Sequence, residues 1–457
     1  MRIDRSIARG WTALVPGSLG LLAALAMRAA AAETAPTEPY VHVPMPPHFR
    51  VEASELDGPV FADPRGHTLY TWPFKIMRVG NTGDPKGQSN CTSAKTTESS
   101  GYMSPYPGGL EMPELATRPS CTQMWMPVAA DASAKPVGKW TIVQRKDGIK
   151  QWAFDGLPVY TSVLDRQPGD VLGGQSYEHE GDEPAVRRPV GPPSDLPPGF
   201  RVSTTVVGRL LQTERGFSVY SSDADQPGKS NCDATCARTW PPMLAPASAN
   251  PHGDWTIVER SPGVRQWAFR GKPLYRYALD LRARSLEGSD VSGWHNVYTQ
   301  RAPAPPAEFT VQDTTAGQVL ADPHGMTIYA YDCGDDAVDQ LGCDHPSETQ
   351  VYRLAMCGGG DAARCLRTFP YVTAPAGAVS HSRSWSVISI DPMSGRRAPP
   401  TDSHALRVWA YRDRPVYVYA GDQQPGDVNG DAHGEFRGER EGYNALWLRD
   451  DYFGRGG

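Results

Sequence analysis

One 15-residue segment is written three times in this chain without insertion: "QWAFDGLPVYTSVLD" at 151–165, "QWAFRGKPLYRYALD" at 266–280 and "VWAYRDRPVYVYAGD" at 408–422. Each is preceded by the same series of landmarks. "FRVEASELDGPVFADPRGHTLY" (49–70), "FRVSTTVVGRLLQTERGFSVY" (200–220) and "FTVQDTTAGQVLADPHGMTIY" (309–329) align with a single one-residue insertion in the first. An aromatic-proline step follows in "CTQMWMP", "CARTWPP" and "CLRTFPY", then a strand-like "KWTIVQR", "DWTIVER" or "SWSVISI". Self-similarity on this scale means a chain built from tandem copies of one unit.

The unit reads as β-structure. In "QWAF" the period is two, which places Trp152 and Phe154 on one face and Gln151 and Ala153 on the other. Asp155-Gly156 is a two-residue hairpin signal, because Gly accepts the positive φ of the hairpin turns. The third copy has Arg412-Asp413 there, without Gly, which predicts a different turn. Pro158, Pro273 and Pro415 open the returning strand, where proline forfeits no central ladder bond. No long stretch carries helical periodicity. The expected fold class is all-β, with three tandem small antiparallel sheets or sandwiches joined by Pro-rich linkers. The boundaries follow from the repeats: a leader over 1–32, a linker over 33–47, the first copy over 48–177, a linker over 178–198, the second copy over 199–300, a linker over 301–307 and the diverged third copy over 308–452. Proline at the density of the two later linkers gives semi-stiff extended spacers.

The leader has the form of an export signal. Arg2, Arg5 and Arg9 precede the apolar run "LGLLAALAM" (19–27), and Ala30, Ala31 and Ala32 supply the small residues of a cleavage site. The run is far shorter than the roughly 20 residues of a membrane span. No Cys stands near the cleavage point, so no lipid anchor is expected. Without its four Arg and one Asp the formal net charge moves from −6 to about −9, dispersed along the chain. A nucleic-acid partner would require a basic face, which is not there. The expected location is periplasmic or secreted.

Eight Cys in an exported chain read as four disulfides. Cys121, Cys236 and Cys365 each stand four residues before Trp125, Trp240 and Phe369, and Cys91, Cys232 and Cys343 occupy the preceding loop. The equivalent pairing is Cys91–Cys121, Cys232–Cys236 and Cys343–Cys365, which leaves Cys333 to Cys357.

The pattern Gly-x-x-aliphatic-Tyr, then Cys and "WPP", then "QWAFxGxPLY" with Asp five positions on, resembles the secreted repeat family of unknown function. That family is also described as predicted bacterial lipoproteins with a Tyr-x-aromatic-x-x-Asp motif. The middle copy carries the pattern best and the third has diverged. The resemblance implies an exported repeat protein and carries no activity with it.

The pairs Tyr160 and Asp165, Tyr275 and Asp280, and Tyr417 and Asp422 read as framework. Positions five apart in a strand point to opposite faces, so the Asp belongs at the strand end, accepting turn N–H groups or a Tyr hydroxyl. A shorter version, Tyr220 and Asp225, sits early in the second copy, but the matching positions elsewhere are Lys75 and Gly334. No nucleophile elbow, zinc-protease motif or phosphate loop is present, and "HEGDE" (179–183) lacks a second zinc His. Two stretches have the residue types of metal sites. "DVNGDAHGE" spaces Asp427, Asn429, Asp431 and Glu435 as a calcium loop does, yet Ala432 replaces the expected Gly and Gly438 the closing Glu. Met103, Met112, Met124 and Met126 near Cys121 would suit Cu(I), but lack regular spacing. The reading is therefore a non-catalytic binding or scaffold module with no cofactor, whose partner is an envelope protein or glycan. The alternative is a periplasmic metal-binding or redox accessory protein.

Overall fold

The computed structural model describes residues 37–71, 91–93, 120–173, 188–281, 283, 285–332, 351–380, 382–431 and 442–450. In the middle copy, the alternating apolar residues of "FRVSTT" and "GRLLQT" pair Phe200–Thr205 with Gly208–Thr213 as an antiparallel hairpin. A second hairpin joins Trp255–Ser261 to Val264–Phe269, and Lys272–Pro273 returns onto the latter. The two hairpins are versions of one half-unit. Phe200 and Trp255 each lie 20 residues before a tyrosine, Tyr220 and Tyr275, with Gly208 and Gly216 matched by Gly263 and Gly271. All four glycines adopt positive φ, which is why the spacing between hairpin and tyrosine is kept by glycine. The halves meet where Tyr220 and Tyr275 exchange backbone hydrogen bonds, both 2.9 Å.

The other copies repeat this plan. Tyr70 is the register partner of Tyr160, and Tyr329 of Tyr417. Each copy is closed by a late strand beside its first tyrosine: Arg188–Pro189 on Tyr70, Trp294–Asn296 on Tyr220 and Gly442–Ala445 on Tyr329. The third copy adds the helix Val351–Gly358, and its helix Ala362–Thr368 lengthens the single turn that the other copies form at Cys121–Met124 and Cys236–Thr239.

Period-two alternation makes each sheet two-sided. In the dipeptides Leu69-Tyr70, Val159-Tyr160, Val219-Tyr220, Leu274-Tyr275, Ile328-Tyr329 and Val416-Tyr417, both residues are buried. The aliphatic member faces a tryptophan core, such as Trp255, Trp267 and Phe269 in the middle copy. The tyrosine faces a second core with the cystine and the aromatic of the Trp-Pro step, as in Tyr220, Cys232, Trp240 and Tyr275.

Three sequence expectations change. Residues 188–190 fall within the linker expected over 178–198, yet Arg188–Pro189 completes the first copy's sheet and Val190 exchanges backbone hydrogen bonds with Phe61 and Leu69. A Pro-rich composition is compatible with a strand when an adjoining strand supplies the bonds. The described parts of the expected spacers, 37–47, 188–198 and 301–307, belong with the three copies to one compact unit. Leu56 of the first copy is buried in the third copy's tryptophan core, and Glu38 is buried in an ion pair with Arg209 of the second. Finally, the Arg412-Asp413 turn is not different. Both residues take positive φ, 48° and 65°, close to the 48° and 82° of Asp155-Gly156.

Candidate functional site

The conserved chemistry of the repeat converges on the tyrosine face. Asp165 is reached not by Tyr160 but by Tyr70, whose hydroxyl donates to Oδ2 at 2.8 Å. Likewise Tyr220 donates to Asp280 and Tyr329 to Asp422, both at 2.7 Å. The second carboxylate oxygen accepts the Leu172 N–H in the first copy, the Ser285 hydroxyl in the second and the Asn429 N–H in the third. Each Asp thus stands at the end of its strand, joining the turn that follows to the tyrosine of the other half-unit. Only the middle copy forms the reciprocal pair among the described residues, with Tyr275 donating to Asp225 at 2.7 Å. The corresponding Lys75 and Gly334 lie outside the described residues. Tyr160 instead packs with the Cys91–Cys121 core, and Tyr417 lies under the Arg353 guanidinium.

Burial dominates the electrostatics of these pairs. It pushes Asp165 up to about 8 and raises Asp422 above the usual carboxylate range. Burial, and then the facing aspartate, drives Tyr70 and Tyr220 well above the ordinary phenol range. Tyr275 is pushed up to about 12, again chiefly by burial. A phenol held this firmly in its protonated form is a hydrogen-bond donor and a poor acid. The pairs are buried latches between two halves of a sheet.

A second polar device supports the first. Arg145 donates to the Gln151 side chain at 3.0 Å and to the Cys91 carbonyl at 2.8 Å, and Gln151 donates to the Val159 carbonyl. Arg260, Gln266, Cys232 and Leu274 repeat this arrangement in the middle copy. In the third copy Val408 replaces the glutamine, and Arg353 enters from the helix among Tyr371, Tyr417 and Tyr443.

The cystines follow the expected pairing in two copies, Cys91–Cys121 and Cys232–Cys236. In the third, Cys365 is bonded to Cys357, which corrects both Cys343–Cys365 and Cys333–Cys357. The helical hairpin brings these two residues together, a geometry that β-repeat alignment could not anticipate. Cys333 and Cys343 lie outside the described residues.

The first and third copies dock through the turn at Arg412-Asp413. Arg412 donates to Asp57 at 3.0 Å, Arg166 donates to Asp413 at 3.0 Å, and Arg414 donates to the Leu172 carbonyl at 3.2 Å. Arg397 adds a further ion pair to Asp413. Glu55 accepts from the Ser384 N–H and hydroxyl, both 2.7 Å. These contacts explain why two non-glycine residues tolerate left-handed backbone at this tip, an arrangement that costs about 1–3 kcal/mol per residue and persists only when its surroundings enforce it. Between the two copies lies a cleft of about 310 Å³ including its open mouth, lined by Glu55, Asp57, Asp170, Arg383 and Arg412. Sequence reasoning missed this clasp. Its one signal was the absence of glycine at a hairpin tip that keeps its length.

The calcium candidates are occupied by local bonds. Asp427 accepts the Gln423 and Gln424 N–H groups, Asp431 accepts the Ala445 N–H, and the Asn429 side chain donates to the Gly421 carbonyl. Glu435, like Met103 and Met112, lies outside the described residues, whereas Met124 is buried in the first copy's cystine core. Among the described residues no three His, Cys, Asp or Glu side chains gather as a metal site. No described helix is long and apolar enough to cross a membrane.

Residues 141–175 and 406–440 match a family described as a secreted repeat of unknown function. The matched stretches fall in the first and third copies, not in the middle one that carries the sequence pattern best. Both span the strand that carries Trp152 or Trp409, the late tyrosine and the latch aspartate, Asp165 or Asp422. No curated protein and no solved structure matches the chain.

Proposed function

We propose that this protein is an exported, non-catalytic β-repeat scaffold of the periplasm or cell envelope that presents a rigid surface to an envelope protein or glycan. The observation that carries the reading is the recurrence of one buried Tyr–Asp latch in all three copies, at 2.7–2.8 Å each time. A device used identically three times, with its phenol kept protonated by burial, serves the frame. Fusion of the copies through the Arg412 clasp and Leu56 then fixes their relative placement, so that partners meet one surface instead of three swinging modules. No cofactor enters this reading.

The test places a photo-crosslinking residue at Leu244 or Leu281, which are 61% and 83% exposed, in cells exporting the full chain. Wild-type protein should give adducts of a few defined sizes, and Tyr220→Phe should give the same adducts at temperatures where it remains folded. Loss of the adducts in Tyr220→Phe with an unchanged unfolding midpoint would make the latch a ligand site and overturn the reading.

A further inference from the structure

The third-copy cystine differs from the other two in what surrounds its sulfurs. In the first and second copies the nearby arginine, Arg145 or Arg260, donates to a cysteine backbone carbonyl. In the third, Arg353 points its Nη1 at Cys365 Sγ, 3.2 Å away. The same residue's backbone carbonyl oxygen lies 2.9 Å from Cys357 Sγ, where a thiol at Cys357 would find an acceptor. The Tyr443 hydroxyl stands 3.8 Å from Cys365 Sγ. One residue, buried in the tyrosine cage, thus presents a fixed positive charge to one sulfur and a hydrogen-bond acceptor to the other. That is the environment of a thiolate at Cys365 and a neutral thiol at Cys357, the two products of reducing this bridge.

The backbone beside the bridge is suited to exchange. Cys357 is followed by three glycines, and Gly359 and Gly360 take positive φ and are exposed. A Cβ at Gly358 would lie 2.9 Å from the Cys365 backbone nitrogen, so glycine there is what lets the two helices approach closely enough to be bridged. Cys365 is fully buried, while Cys357 retains 7% exposure.

We propose that Cys357–Cys365 is an exchangeable, redox-active disulfide that reacts with a dithiol partner, whereas Cys91–Cys121 and Cys232–Cys236 are structural. The incoming thiolate attacks Cys357 Sγ, on the less buried of the two cysteines. A mixed disulfide forms there, the Cys357–Cys365 bond breaks, and its electron pair leaves on Cys365 as a thiolate facing Arg353. The partner's second thiolate then attacks the partner sulfur of the mixed disulfide. The partner departs oxidised, and Cys357 takes a proton to become the thiol that donates to the Arg353 carbonyl. A neighbouring guanidinium lowers a thiol's pKa, and a lower-pKa thiol leaves faster and stabilises the reduced pair. Electrons therefore enter this bridge more readily than the others. The inference is independent of which partner the scaffold surface binds.

The test equilibrates the folded full chain in dithiothreitol buffers of graded thiol-to-disulfide ratio, quenches with acid and maps each cysteine by differential alkylation. Cys357 and Cys365 should be half reduced at a ratio at least tenfold lower than the other two pairs, a separation of about 30 mV for a two-electron couple. R353Q should shift that ratio toward the structural bridges, and R353K should retain most of the difference. Reduction of this bridge together with Cys91–Cys121 and Cys232–Cys236, or an R353Q chain that titrates as wild type, would overturn the proposal. If R353Q does not fold, the wild-type protein decides alone. After selective reduction, Cys365 should be alkylated at pH 6 nearly as fast as at pH 8, while Cys357 slows by about 100-fold as an ordinary thiol does. Equal slowing of both sulfurs refutes the thiolate.

Discussion

Replacing Asp165 by asparagine should change how stability depends on pH more than it changes stability itself. Burial raises the Asp165 carboxyl from 3.8 to about 8 in the folded chain. The folded protein therefore holds a proton that the unfolded chain has released over that interval. The stability contributed is fully present below about pH 4 and is lost as the pH rises toward 8. One proton of difference corresponds to about 1.4 kcal/mol per pH unit, so wild type should lose nearly 3 kcal/mol between pH 5 and pH 7 through this group. Asparagine keeps the shape and an acceptor for the Tyr70 hydroxyl but cannot ionise. D165N should lie within about 1 kcal/mol of wild type at pH 5, the cost of one altered hydrogen bond, and should exceed it at pH 7. Urea unfolding of both proteins at pH 5, 6 and 7 gives the difference directly, and the other titrating groups cancel in it. Parallel curves, or a variant equally destabilised at every pH, would show that the carboxylate is ionised and favourably held, and the reasoning from burial would fail.

Other perturbations test the remaining links. Asp280→Ala leaves the Ser285 hydroxyl without this acceptor and the buried Tyr220 hydroxyl with only the Ser285 carbonyl at 3.4 Å, and should cost about 1–3 kcal/mol in urea unfolding. Arg412→Ala and Asp57→Ala, combined in a double-mutant cycle, should show a coupling of about 1–3 kcal/mol, and additive effects would dismiss the clasp between the first and third copies. Calorimetric titration with calcium, then with Cu(I) under reducing conditions, should give no saturable heat that depends on Asp427 or Asp431, because both carboxylates already accept backbone donors.

The β architecture was legible because period-two alternation and the Asp-Gly turn are local signals that sheet packing reinforces. The cystines of the first two copies were legible for a related reason, since Cys121 and Cys236 keep the same offset from Trp125 and Trp240 and Cys91 and Cys232 share the context "SNC". The latch was half legible. Tyr160 and Asp165 are neighbours in sequence, which drew attention to the wrong donor, while the true donor Tyr70 stands 95 residues upstream. The clue was Tyr220 with Asp225, which repeats the spacing of Tyr275 with Asp280 and marks two half-units that cross over when they pair. The strand at 188–189 was hidden by its proline, because composition reports intrinsic preference and cannot report the strand waiting beside it. The Cys357–Cys365 pair was hidden by the helices, whose periodicity was too short to detect.

The crossed latches of the middle copy also bear on where such a chain can grow. Asp225 ties down the segment that follows Tyr220, and only 15 residues separate that tyrosine from Cys236. In the copies where the matching position is Lys75 or Gly334, 50 residues separate Tyr70 from Cys121 and 35 separate Tyr329 from Cys365. The late latch, Asp165, Asp280 or Asp422, is kept in every copy, and the spacing between each late tyrosine and its aspartate never changes. A repeat that carries two equivalent fasteners can release one and remain closed by the other. The released side becomes the place where length and composition vary at little cost to the frame, and it is there that three copies of one unit have become different from one another.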